Sequence, residues 1–144
     1  MKIIISNLQK KAINQNLLKN QARRILCREG VSSGELSLVL VNDRTIKKLN
    51  REFLSKKYPT DVLAFDLSLR KSAPEKKKIF GEIIISTDTA KRNSRIFNTD
   101  FKYEITLYLV HGILHLLGFD DTGSNKIKLM RKKEIELMQY LGMA

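Results

Sequence analysis

Between Ile105 and Phe119 the chain is apolar with few breaks, and within this run His111 and His115 stand out as polar residues. The run is shorter than the roughly 20 residues a bilayer crossing requires. A helix that is apolar on nearly every side has to be buried on nearly every side, so this segment belongs in a protein core. The 144 residues supply one domain with a proper core and leave no room for two. A single domain over residues 1–144 is therefore expected, soluble and without a membrane partner. The apolar start at Ile3, Ile4 and Ile5 ends at once in Ser6, Asn7 and the basic pair Lys10 and Lys11, too short for a signal peptide.

Around the buried segment, strand and helix patterns are interspersed. Residues 2–6 read as a strand. Residues 8–28 carry a one-sided stripe at Leu8, Ala12, Leu18, Ala22, Ile25 and Leu26, an amphipathic helix stopped by Gly30. Residues 36–41 are mostly β-branched or Leu and suit a strand buried on both faces. Asn42 or Asp43 can cap a helix with the stripe Ile46, Leu49 and Phe53, and Pro59 closes that region. Residues 61–67 and 80–86 read as strands joined by a basic loop. Thr87 or Asp88 can cap a short helix to about residue 93, followed by helices near 100–117 and 125–141. The first strand–helix–strand unit implies a parallel pair, and the short connection between the last two strands a hairpin. The expected class is α+β: a mixed sheet of about four strands packed by about five helices.

The chemistry concentrates at His111-Gly-Ile-Leu-His115-Leu-Leu-Gly118-Phe-Asp120-Asp121. Histidines four apart on a helix project from one face, one turn apart, and can share an ion. Gly118 can end the helix and turn the chain back, which lets an acid some three residues on approach the same ion from another side. Two buried imidazoles need partners, since an unpaired buried polar group costs about 1–3 kcal/mol, and a metal satisfies both at once. Three protein ligands leave a fourth position for water, the arrangement of catalytic zinc. The alternative is a pair of core histidines bonded to backbone or carboxylate; the turn glycine and the following acids favour metal. The spacing is also that of metzincin proteases, but Gly112 stands where they place the general base, which argues against proteolysis.

Charge suggests the substrate. Twenty-seven Lys and Arg against fifteen Asp and Glu leave a net charge of +12, a field that attracts polyanions, of which nucleic acid is the commonest in a cytoplasm. Cys27 is the only cysteine, which rules out an internal disulfide framework and points to a reducing, cytoplasmic compartment.

These residues resemble the YbeY family, bacterial metal-dependent endoribonucleases of ribosomal RNA maturation. The resemblance rests on residues 111–120, on Leu49-Asn50, on Pro59-Thr60-Asp61-Val62-Leu63-Ala64-Phe65, on Gly81-Glu82-Ile83-Ile84-Ile85, and on Met130 and Glu134. It implies a zincin-like α+β fold, one zinc ion held by three histidines, and single-strand-specific cleavage of RNA. That activity would serve 3′-end maturation of small-subunit ribosomal RNA and ribosome quality control, with ribosomal RNA and the ribosome as partners. The family's third histidine falls on Asp121, so the expected ligands are His111, His115 and Asp121. Asp121 is preferred to Asp120 because Asp120 matches the family's own aspartate. Leu54 stands where the family commonly carries an arginine proposed to hold the substrate phosphate.

Lys56 and Lys57 are the nearest candidates to supply that charge. Lys76, Lys77 and Lys78, with Lys126, Lys128, Arg131, Lys132 and Lys133 on the last helix, are further candidates for RNA contact. Glu134 falls inside the apolar stripe Ile127, Met130, Leu137, Met138 and Leu141, where it could either accept a hydrogen bond from the free ring N–H of a metal-bound histidine or form a rim salt bridge to Lys or Arg. Two other functions compete: a ribosome-assembly factor that binds ribosomal RNA around a structural metal, and a metallohydrolase of another substrate.

Overall fold

The computed structural model describes residues 1–54, 61–68 and 78–143. In chain order the elements are β1 (Lys2–Asn7), α1 (Gln15–Arg28), β2 (Ser33–Val41), α2 (Asp43–Leu54), β3 (Val62–Asp66), β4 (Lys78–Ser86), α3 (Thr87–Ile96), α4 (Phe101–Leu116) and α5 (Ser124–Tyr140). The sheet order is β1-β2-β4-β3, with β1, β2 and β4 parallel and β3 antiparallel at the edge. The parallel pair and the hairpin expected from the pattern are both present, as is the mixed four-stranded sheet with five helices.

Period-two alternation decides what each sheet face meets. Ile3, Leu36, Leu38, Leu40, Ile83 and Ile85 share the main core with α1 and α4. On the opposite face Val41, Leu63 and Ile84 enclose Ile46 of α2 in a smaller cluster. Because α2 covers only one end of that face, β2 is not buried on both sides as its composition suggested: Ser37 and Val39 are only half-buried. Phe53, assigned to the α2 stripe, is 64% exposed and meets Phe65 edge to face, ring centroids 5.9 Å apart.

Helix α4 is the central element, in contact with α1, α3, α5, β3 and β4. Its Ile105, Leu109, Val110, Ile113 and Leu114 are buried, each contributing about 1.5–3 kcal/mol on leaving water. Its polar members are paired: Thr106 donates to Gln21 of α1 at 3.1 Å, and Glu104 accepts from Thr99 at 2.8 Å. Two glycines let α4 lie directly on β4. A Cβ at Gly112 would stand 2.8 Å from Ile83 Cγ2, and one at Gly81 2.6 Å from Leu116 Cδ1.

The starts of α1 and α3 differ from the expected ones, while α2 starts where expected. Helix α1 begins at Gln15, not near residue 8, because Leu8 N–H still bonds Leu40 O at 2.9 Å, extending the β1 pairing. Leu8 is 67% exposed, and Asn14 caps the helix by accepting from Leu17 N–H at 3.0 Å. Helix α2 is capped by Asn42, which accepts from Thr45 N–H at 2.9 Å. Asp43 instead accepts from Ser86, Thr89 and Arg92, at 2.6, 2.7 and 2.8 Å. Burial would raise its carboxyl, but those three donors hold it below the usual carboxylate range. Helix α3 is capped by Ser86 rather than Thr87 or Asp88, and runs to Ile96. Asp88 is taken by Lys11 and by the Asp43 N–H, and both bonds lower its pKa.

Candidate metal centre

The end of α4 shapes the site. Gly118, at φ +98°, donates to His115 O at 3.1 Å, while Phe119 N–H reaches back to Leu114 O at 3.0 Å. This paired closure satisfies carbonyls of the last turn and needs a left-handed residue, the reason glycine stands there. The chain then reverses. Asp120 Oδ1 accepts from both the backbone N–H and the hydroxyl of Thr122, each at 2.6 Å, an Asx turn. These bonds, with the nearby Lys126 ammonium, bring its carboxyl down to about 2. Asp120 is thus committed to the turn, and Asp121 carries the free carboxylate.

His111, His115 and Asp121 each offer one ligand atom, and these atoms all lie within 4.8 Å of one another. The two Nε2 atoms are 3.0 Å apart, with ring planes 75° to each other. On its other side His111 Nδ1 meets Glu134 Oε1 at 2.6 Å, so α5 supplies the acceptor that orients the ring. Burial pulls the His111 pKa down, but the bond to Glu134 and its charge outweigh this and the net shift is upward. Burial and the neighbouring His111 both lower the His115 pKa, which favours its neutral form. A neutral His111 that donates Nδ1–H to Glu134 would present its Nε2 lone pair toward His115. Two imidazole nitrogens and a carboxylate converging on one point suit a divalent transition metal.

The site opens into a cavity of about 290 Å³ lined by Asp61, Leu107, Tyr108, His111, Asp121, Ile127, Met130, Arg131 and Glu134. Tyr108 accepts from Asn93 at 2.7 Å, and burial raises its phenol above the ordinary range, so it stays protonated.

Known proteins match this chain over nearly its whole length. The family model described as Endoribonuclease YbeY matches residues 3–142. The chain belongs to the YbeY endoribonuclease family. An Endoribonuclease YbeY of Pelotomaculum thermopropionicum is 36% identical over 152 residues, covering 99% of each chain. One from Syntrophus aciditrophicus is 34% identical over 98% of this chain and 90% of its own. The solution structure of the Thermotoga maritima protein TM1509 superposes with a TM-score of 0.62 at 28% identity, covering 96% of this chain and 90% of that one.

Set against the YbeY resemblance, the structure brings together His111, His115 and Asp121, and adds Glu134, whose side chain bonds a histidine rather than a rim lysine. Lys78 is exposed at the start of β4, eight residues from Ser86, whose N–H bonds Asp61 O at 3.0 Å. That places it roughly 26 Å along the strand from the Asp61 wall of the cavity. Lys56, Lys57, Lys76 and Lys77 lie outside the described residues. Sequence reasoning missed Asp61 as part of the cavity and did not separate Arg131 from the other α5 cations. The Asp61 segment was visible only as a family match, while Arg131 shares the helical spacing 127, 130, 131, 134 with residues that face the site.

Proposed function

We propose that this chain is a zinc-dependent endoribonuclease that cuts single-stranded RNA, with one ion held by His111, His115 and Asp121. The observation that carries the assignment is the convergence of two imidazole nitrogens and a carboxylate at the wall of an open cavity. His111 and His115 are half-buried and Asp121 is exposed, which favours a site that substrate can reach over a closed structural one. When bound, the ion supplies a Lewis acid and acidifies a water at neutral pH.

The chain's own groups do the rest. Glu134 holds the proton of His111 on Nδ1 and leaves Nε2 free to ligate. Asp121 brings a negative charge where the family pattern has a neutral imidazole, which weakens the electrophile relative to a three-histidine set. The net charge of +12 draws a polyanionic strand to the surface; Lys78 can contribute only outside the cavity. The substrate in this reading is ribosomal RNA, cut during 3′-end maturation of the small-subunit species and in ribosome quality control, in the cytoplasm; the endoribonuclease family supports RNA as its class.

The deciding experiment incubates purified protein with single-stranded and duplex ribosomal RNA fragments, with and without a chelator. Single strands are expected to be cut, the chelator to stop cleavage and added zinc to restore it. Cleavage that persists under chelation rules out the metal mechanism.

A narrower prediction concerns Glu134→Gln. The amide keeps the size but not the charge of the acceptor on His111, so zinc affinity should drop about 10–100-fold. Competition with a chromogenic chelator measures it, and an affinity equal to wild type would remove Glu134 from the site's machinery.

A further inference from the structure

We infer that Arg131 is the cation that grips the RNA phosphate beside the metal site. This rests on the endoribonuclease reading, and its test is arranged to be separable from it. Three carboxylates, those of Asp61, Asp121 and Glu134, line the cavity. A phosphodiester entering the cavity passes these carboxylates on its way to the metal ligands. A fixed cation on the same wall holds such a polyanion by short-range Coulomb attraction.

Among the described residues Arg131 is the one Lys or Arg that lines this cavity. Its place follows from helix geometry. Ile127, Met130, Arg131 and Glu134 fall at i, i+3, i+4 and i+7 on α5, a single face. Met130 on that face is buried and Glu134 is bonded to His111 at 2.6 Å. Arg131 sits one turn before Glu134, with Cβ atoms on the order of 5–6 Å apart. It is exposed, so its guanidinium stands at the mouth rather than in the core.

The other cations of α5 are committed or turned away. Lys126 pairs with Asp120 at 3.4 Å, and Lys133 with Glu29 at 2.7 Å and Glu136 at 3.8 Å. Lys128 and Lys132 do not line the cavity. Arg131 forms no ion pair among the described residues, so its charge is available for a ligand. A planar guanidinium also grips two phosphate oxygens at once, which an ammonium cannot.

The test compares Arg131→Ala, Arg131→Lys and the control Lys128→Ala. One readout is the affinity of the chelated protein for a short fluorescent single-stranded RNA across a salt series; the other is kcat and KM of the zinc-loaded protein. Arg131→Ala should lose about tenfold in affinity and flatten the log–log salt slope by about 0.7. Its KM should rise about tenfold with kcat within about threefold, and its zinc content should stay at wild type. Arg131→Lys should restore the slope but only part of the affinity, and Lys128→Ala should leave KM unchanged. An Arg131→Ala protein with wild-type KM and slope overturns the assignment. So does a Lys128→Ala protein with the same losses, since the effect would then be general surface charge, or loss of zinc in Arg131→Ala. If the wild-type protein cuts no RNA, the function reading fails, and the metal-free binding series still decides Arg131.

Discussion

A His115→Ala protein is expected to keep its fold and lose its cleavage. His115 lies in the last turn of α4, is half-buried, and has its Nε2 3.0 Å from that of His111. Unlike His111, it has no carboxylate hydrogen-bonded to its ring among the described residues, and its pKa is lowered by burial and by His111. Removing it therefore takes away a proposed ligand without leaving a buried charge uncompensated, and the core residues Ile113 and Leu114 on the same helix are untouched. Two ligands remain where three converged. If the ion contributes several kcal/mol to the transition state, and each 1.36 kcal/mol is tenfold in rate, cleavage should drop by at least about a thousandfold. Zinc content should fall with it, while far-ultraviolet circular dichroism stays as in wild type. Cleavage within tenfold of wild type would mean that the histidine pair is not the catalytic centre.

The second large effect is on stability. Gly112→Glu would place a carboxylate at the position next to His111 where a metalloprotease carries its base. In this fold that position faces the sheet and not the cavity: a Cβ there meets Ile83 Cγ2 at 2.8 Å, Cδ1 at 3.0 Å and Cγ1 at 3.2 Å. Ile83 is fully buried. The substitution would overpack the interface between α4 and β4 and strand a charge in it. Overpacking alone costs about 1–3 kcal/mol and a buried unpaired charge several more, against about 1 kcal/mol gained by replacing a helical glycine. A loss of about 3 kcal/mol or more is expected, a fall in Tm of about 10 °C for a chain this size. A thermal melt checks it. A Gly112→Glu protein as stable as wild type would show that α4 does not rest on β4 as described. The missing protease base is thus a packing requirement here as much as a chemical difference.

Local patterns were read correctly where the physics is local. The spacing of His111 and His115 and the left-handed Gly118 each depend on residues within a turn or two, as does the strand–helix–strand pattern. Asp120 and Asp121, adjacent and chemically alike, were told apart in the sequence only by family resemblance. In the structure the Thr122 bonds occupy one and leave the other near the histidines. The α2 cap was left open between two residues and the α3 cap was misplaced for the same reason. Asn42 and Asp43, or Ser86, Thr87 and Asp88, are nearly equal as caps, and distant partners made the choice: Arg92 beside Asp43, and Lys11 beside Asp88.

By itself, the sequence determined a buried helix with two imidazoles on one side, a turn after it with an acid to follow, an α+β class and an excess of positive charge. All of these come from short-range periodicity or simple composition. Only the tertiary structure decided that Glu134 of α5 holds His111, that Asp61 beside β3 walls the same cavity, and that Arg131 stands at its mouth. Those groups come from segments far apart in the chain, and their meeting depends on how helices and sheet pack against one another. Side-chain periodicity says which face of an element is buried; it does not say what that face will meet.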